Sequence, residues 1–106
     1  MTTFDKREQA FEAKFANDQA MLFKATARRN KLLGLWAAEI LGLTGADAEA
    51  YAREVVKSDF EEVGEDDVFR KVRGDFDAKG VDRSDHQIHK QMQELLIVAK
   101  EQLAQE

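Results

Sequence analysis

No proline occurs among the 106 residues, and the first glycine is Gly34. Nothing therefore interrupts a helix between Phe4 and Ile40, because the two residue types that most disfavour one are absent or late. Thr2-Thr3-Phe4-Asp5 supplies a Thr-x-x-Asp start signal. Projected at 100° per residue, Phe4, Phe11, Phe15, Leu22, Leu33, Trp36 and Ile40 fall within about 60° of one another. "LGLTG" at 41–45 ends the pattern, with Gly42 or Gly45 as the stop.

Three more helices follow from period and punctuation. The second runs from about Ala46 to Val63, with a capping box in Thr44-Gly45-Ala46-Asp47 and an apolar face of Tyr51, Val55, Val56, Phe60 and Val63. The third spans about Asp67 to Ala78 behind Asp66, with Phe69, Val72 and Phe76 inward and Gly74 as a weak point. "DAKGVDR" then forms a loop around Gly80. The fourth starts at the capping box Ser84-Asp85-His86-Gln87 and faces inward with Ile88, Met92, Leu95, Leu96, Ala99 and Leu103. No strand pattern competes. Short connections favour antiparallel neighbours, so the fold class is all-α: a four-helix bundle with a long first helix.

The first helix is too long for the rest. About 40 residues of helix measure roughly 60 Å, and helices of 12 to 20 residues cannot cover that. The stretch from Leu22 onwards is densely apolar, with Leu22, Phe23, Leu32, Leu33, Leu35, Trp36, Ile40 and Leu41, and belongs inside the bundle. The stretch before it carries a stripe only about 40° wide, where a core-facing helix shows about 100°. The domain reading is a flexible N-terminal arm, residues 1–20, on a bundle of residues 21–106. Such an arm is marginal as an isolated helix. It orders when a groove on a partner takes Phe4, Phe11 and Phe15, folding and binding together. Folding back on the bundle and pairing with a second copy are the alternatives.

Composition excludes several functions. The net charge is -5, which does not concentrate cations against a phosphate backbone, so nucleic acid is not an expected partner. With no cysteine there is no disulfide, thiolate nucleophile or cysteine-based zinc site. No apolar run is long enough to insert into a membrane, and charges interrupt any secretory signal, so the expectation is a cytoplasmic, soluble protein. It is also expected to be a monomer when free. No hydroxyl has an obvious neighbouring base and no glycine-rich loop cradles phosphate, so catalytic residues are not assigned.

The remaining constellations are weak. Asp75, Asp77 and Gly80 fit a calcium-loop pattern, but Lys79 and His86 stand where oxygen ligands belong. His86 and His89 stand three apart on a helix with only Asp82 and Asp85 to complete a metal site, so no metal is assigned. Lys24, Arg28, Arg29 and Lys31 form a basic cluster, which is either a solvated helix face or a docking patch for an acidic surface or a phosphate.

The segments "FDKREQAFEAKFA", "ARRNKLLGLWAAEILGLTG", "AYAREVVKSDFEE", "DVFRKV" and "ELLIVAKEQLA" carry a family resemblance. The chain resembles the zeta-type inhibitor subunit of alphaproteobacterial F-type ATP synthases, over Thr3 to about Val72 and again near the C-terminus. "RRNKLLGLWAAE" is the most specific run. The resemblance implies a four-helix bundle whose N-terminal arm enters the catalytic head, among its alpha, beta and gamma subunits near the rotor. There the arm becomes helical and blocks ATP hydrolysis. It implies a protein without catalysis or an obligatory cofactor, associated peripherally with the membrane-bound synthase. Carried onto this chain, the inhibitory contacts are Phe4, Arg7, Glu8, Phe11, Glu12, Lys14 and Phe15. Two other functions stay open: a regulator that senses weakly bound ATP or ADP through the Arg28, Arg29 and Lys31 cluster, and an adaptor that self-associates through the arm.

Overall fold

A computed structural model of the chain describes residues 19–59 and 66–106. Among the described residues there are four helices and no strand: α1 (Gln19–Ile40), α2 (Gly45–Ser58), α3 (Asp66–Lys79) and α4 (Asp85–Ala104). The expected continuation of the second helix, with Phe60 and Val63, lies outside the described residues. Helix α1 is the hub. It packs most extensively against α2 and α4, while α3 closes the bundle across α2, α4 and the end of α1.

The α1–α2 crossing is close because Gly34 has no side chain. A Cβ there would stand 2.6 Å from Ala52 Cα, 3.2 Å from Ala52 Cβ and 3.3 Å from Val55 Cβ. Below the crossing lies the core. Helix α1 contributes Leu33, Ala37 and Ala38, α2 contributes Tyr51 and Val55, α3 contributes Val68, Val72 and Phe76, and α4 contributes Ile88 and Met92. Val68 joins the α3 face as a fully buried member, since 68, 72 and 76 follow the i, i+4 row. Phe69, half-buried, packs on the edge of the same core and stacks on the His89 ring, with centroids 4.2 Å apart and planes at 5°. Trp36 is half-buried and tilts against Phe76, with centroids 5.8 Å apart. A second, smaller cluster joins Ala25 of α1 to Leu103 of α4, flanked by Met21 and Leu96.

Helices α1 and α3 end in the same way. Gly42 and Gly80 take positive φ, 82° and 70°, which L side chains disfavour. Beyond each, Leu43 N donates to Ala38 O and Val81 N donates to Phe76 O, both at 2.8 Å, the six-to-one bond of a Schellman cap. Leu43 and Val81 then pack on the core. Of the two glycines that could stop α1, the stop is Gly42.

The two expected capping boxes differ. Ser84 Oγ accepts from Gln87 N at 3.1 Å, and Gln87 Oε1 accepts from Ser84 N at 2.9 Å, so the box is complete. Thr44 has the extended backbone of a cap but no side-chain bond. Its carbonyl already accepts from Asp47 N at 3.1 Å, which leaves that donor with no need of the hydroxyl.

The calcium-like stretch is helix and ion pairs instead of a ligand loop. Asp75 and Asp77 lie within α3. Arg73 reaches Asp77 at 2.8 Å and Asp85 at 3.2 Å and so ties the end of α3 to the start of α4. Tyr51 Oη donates to Asp75 Oδ2 at 2.8 Å, which joins α2 to α3. Lys71 sits between Glu54, at 3.3 Å, and Asp75, at 3.1 Å, with its ammonium 5.4 Å from the centroid of the Tyr51 ring. Burial, and then the bond to Asp75, push the Tyr51 hydroxyl well above its ordinary value of 10.0. Burial alone would lower Lys71, but its bonds to Asp75 and Glu54 outweigh that and raise it.

Two expected outcomes follow from these contacts. In urea denaturation, Gly34→Ala costs roughly 1–3 kcal/mol, because the backbone of Ala52 cannot give way. Gly74→Ala, in helix α3 with nothing within 4 Å, instead gains up to about 1 kcal/mol of helix propensity. The second outcome concerns alkaline pH. Unfolded Tyr51 loses its proton above about pH 10 while the folded residue keeps it, so the unfolded chain binds fewer protons and stability falls as pH rises, by at most about 1.4 kcal/mol per pH unit. Tyr51→Phe should flatten that decline in melts recorded from pH 8 to 11.

Candidate partner-binding surface

The contacts implied for the arm, Phe4, Arg7, Glu8, Phe11, Glu12, Lys14 and Phe15, lie outside the described residues. The last two residues of the expected arm, Gln19 and Ala20, already belong to α1. What the described residues show is the start of α1, the junction at which the expected arm would join.

That junction is uncovered. Leu22 is 42% and Phe23 62% exposed, against the expectation that both lie inside. The reason is the reach of the neighbours. Helix α2 turns back along α1 from the Gly34–Ala52 contact and ends at Ser58, six residues on. At 1.5 Å per residue it stops about 9 Å from the crossing, near the level of Arg28. Helix α4 runs antiparallel to α1: its first half puts Ile88 and Met92 into the main core with Leu33 and Ala37, and its end brings Leu103 to Ala25. It ends at Ala104. Full burial along α1 therefore begins at Ala25; ahead of it Met21 is half-buried against the end of α4, while Leu22 and Phe23 are exposed.

The basic cluster is dispersed. Lys24 and Lys31 are exposed. Arg28 turns to the C-terminus of α4, where it pairs with Glu106 at 2.5 Å and donates to Gln102 at 3.3 Å. Arg29 is only 1% exposed, and its Nε donates to Oδ1 of the equally buried Asn30 at 2.7 Å. Arg29 continues the row Ala25, Arg29, Leu33, each four residues apart and each buried. The four cations do not share one surface.

Lys31 instead meets α2. With Glu49, Ala52, Arg53, Val56 and Lys57 it lines an open pocket of about 230 Å³ between the two helices. Arg53 and Lys57 do not stand out in the sequence as functional residues. The signal was present: Glu49, Arg53 and Lys57 recur every four residues and so form one row on α2. The pocket has an apolar floor and is rimmed by three cationic side chains and the Glu49 carboxylate.

Among the described residues, no group of three or more His, Asp or Glu side chains is placed to hold a metal ion. Nor is any of their helices long and apolar enough to cross a membrane.

Similarity to known proteins extends over the described helices and the residues ahead of them. The family model for ATPase inhibitor subunit zeta matches residues 1–102. One solved structure, determined in solution by NMR, is 55% identical to the chain; the alignment covers 80% of this chain and 96% of that one, with a TM-score of 0.72. No curated protein matches the chain.

Proposed function

The chain belongs to the ATPase inhibitor subunit zeta family, and from that premise we propose that it stops ATP hydrolysis by an F-type ATP synthase as a mechanical block. The arm, residues 1–20, enters an interface of the catalytic head near the rotor, among the alpha, beta and gamma subunits, and becomes helical there. Phe4, Phe11 and Phe15 bury in the groove, while Arg7, Glu8, Glu12 and Lys14 set register against its walls. Inhibition follows because an inserted helix holds the interface in one conformation of the cycle. The bundle performs no chemistry in this reading; it carries and positions the arm. The protein works in the cytoplasm, bound peripherally to the membrane-embedded synthase and monomeric when free.

The observation that carries the proposal is that the family match begins at residue 1, so it includes the arm as well as the bundle. ATP hydrolysis by a cognate catalytic head, titrated with the full chain and with Phe11→Ala, tests it. Truncating one buried aromatic anchor removes about 1–3 kcal/mol, which is a weakening of inhibition by roughly five- to 150-fold. Equal potency of the two proteins would contradict arm insertion.

The pocket at Lys31 favours a second function, nucleotide sensing, through residues other than those the cluster suggested. Arg53 and Lys57 would replace Arg28 and Arg29 as phosphate contacts. In amide chemical-shift mapping with millimolar ADP, this function requires perturbations at Lys31, Arg53 and Lys57. A silent pocket at that concentration rejects it.

A further inference from the structure

We propose that the docking surface does not stop at the arm but continues onto the bundle, so that the partner groove also covers Leu22 and Phe23. The inference rests on the reading of the arm given above. It adds two described residues to the interface and gives the chemistry of the groove.

Spacing is the first argument. Leu22 follows Phe15 by seven residues, Phe11 by eleven and Phe4 by eighteen. Eighteen residues at 100° each are five full turns, so a helix continuing the register of α1 puts Leu22 directly in line with Phe4. The next apolar member of the strip, Leu33, is completely buried. Along one line the strip thus passes from exposed to covered, and Leu22 stands on the exposed side. Phe23 is its immediate neighbour and the most exposed large apolar side chain among the described residues. Lone exposed apolar residues need no explanation, but Leu22 is in phase with the docking stripe, and Phe23, 100° further round, widens the exposed apolar surface beside it.

Reach is the second argument. The 18 residues ahead of the described helix end where α1 begins. Seven helical residues span about 10 Å, so a groove that holds Phe15 on a continuous helix comes within about 10 Å of Leu22. The whole strip, Phe4 to Leu22, is about 27 Å long.

Charge gives the walls. In that same register Asp5, Glu8 and Glu12 fall on the Phe23 side of the strip, while Arg7, Lys14 and Lys24 fall on the other. The groove that fits has an apolar floor, a cationic wall beside Glu8 and Glu12, and an anionic wall beside Arg7 and Lys14.

The test is inhibition of ATP hydrolysis by the cognate head, using the full chain, Phe11→Ala, and the double variant Leu22→Ala/Phe23→Ala. Both double-variant sites are exposed and alanine is the best helix former, so the melting curve should not drop. The double variant is expected to raise the half-inhibitory concentration at least tenfold. Glu12→Lys should weaken inhibition more than Glu12→Gln. If Phe11→Ala weakens inhibition and the double variant does not, the arm reading stands and the continuation onto the bundle is wrong. If neither weakens it, both are wrong. An effect of the double variant alone supports the bundle-side surface and removes the arm as anchor. The free protein gives an independent check by NMR. Leu22 and Phe23 signals that move on Phe11→Ala/Phe15→Ala assign the patch to the protein's own arm. Signals that move with protein concentration assign it to a second copy. Either result overturns the proposal.

Discussion

The bundle depends on the approach of Gly34 to Ala52. Where two helices meet with a bare Cα against a backbone, the interaxial distance is set by main chain, not by side chains that can adjust. A methyl carbon on Gly34 would stand 2.6 Å from Ala52 Cα, so there is no room for one. This contact fixes α2 against α1, and with it the line along which Tyr51 reaches Asp75 and Val55 enters the core. Helix α3 makes less extensive contacts than α2 and α4 make with α1, so its position follows from that first pairing.

Much of this was legible in the sequence. The four helices follow from the absence of proline and the positions of glycine, and the Ser84 box is realised in both its bonds. The same pattern failed at Thr44 because a backbone carbonyl had already taken the donor, which residue types alone do not reveal. Gly34 was read only as the first glycine after a long run. Its function is to be small at a crossing, and that requires knowing what stands opposite. Leu22 and Phe23 were read inward because apolar density marks a face but not how far the neighbouring helices reach.

The basic cluster shows the same limit on the polar side. "ARRNK" has the composition of a solvated helix face. Its four-residue phase with Ala25 and Leu33 puts Arg29 inside, where Asn30 accepts from its Nε. Buried charge is stable only when it is paired, so this position tolerates less change than a surface arginine. Arg28, one residue away, belongs to a different contact altogether and anchors the end of α4. Adjacent residues with the same side chain thus do unrelated work, and a functional patch cannot be assigned from charge density along the chain.

The point at which neighbours begin to cover α1 has a geometric consequence. In the first turn of α1, Leu22 and Phe23 are exposed and Met21 alone leans on the end of α4. From Ala25 onwards the bundle is several helices across. The width therefore changes within about one turn of α1, and a cleft that fits a single helix could not pass that step. The bundle is a collar by shape alone, with no specific contact required.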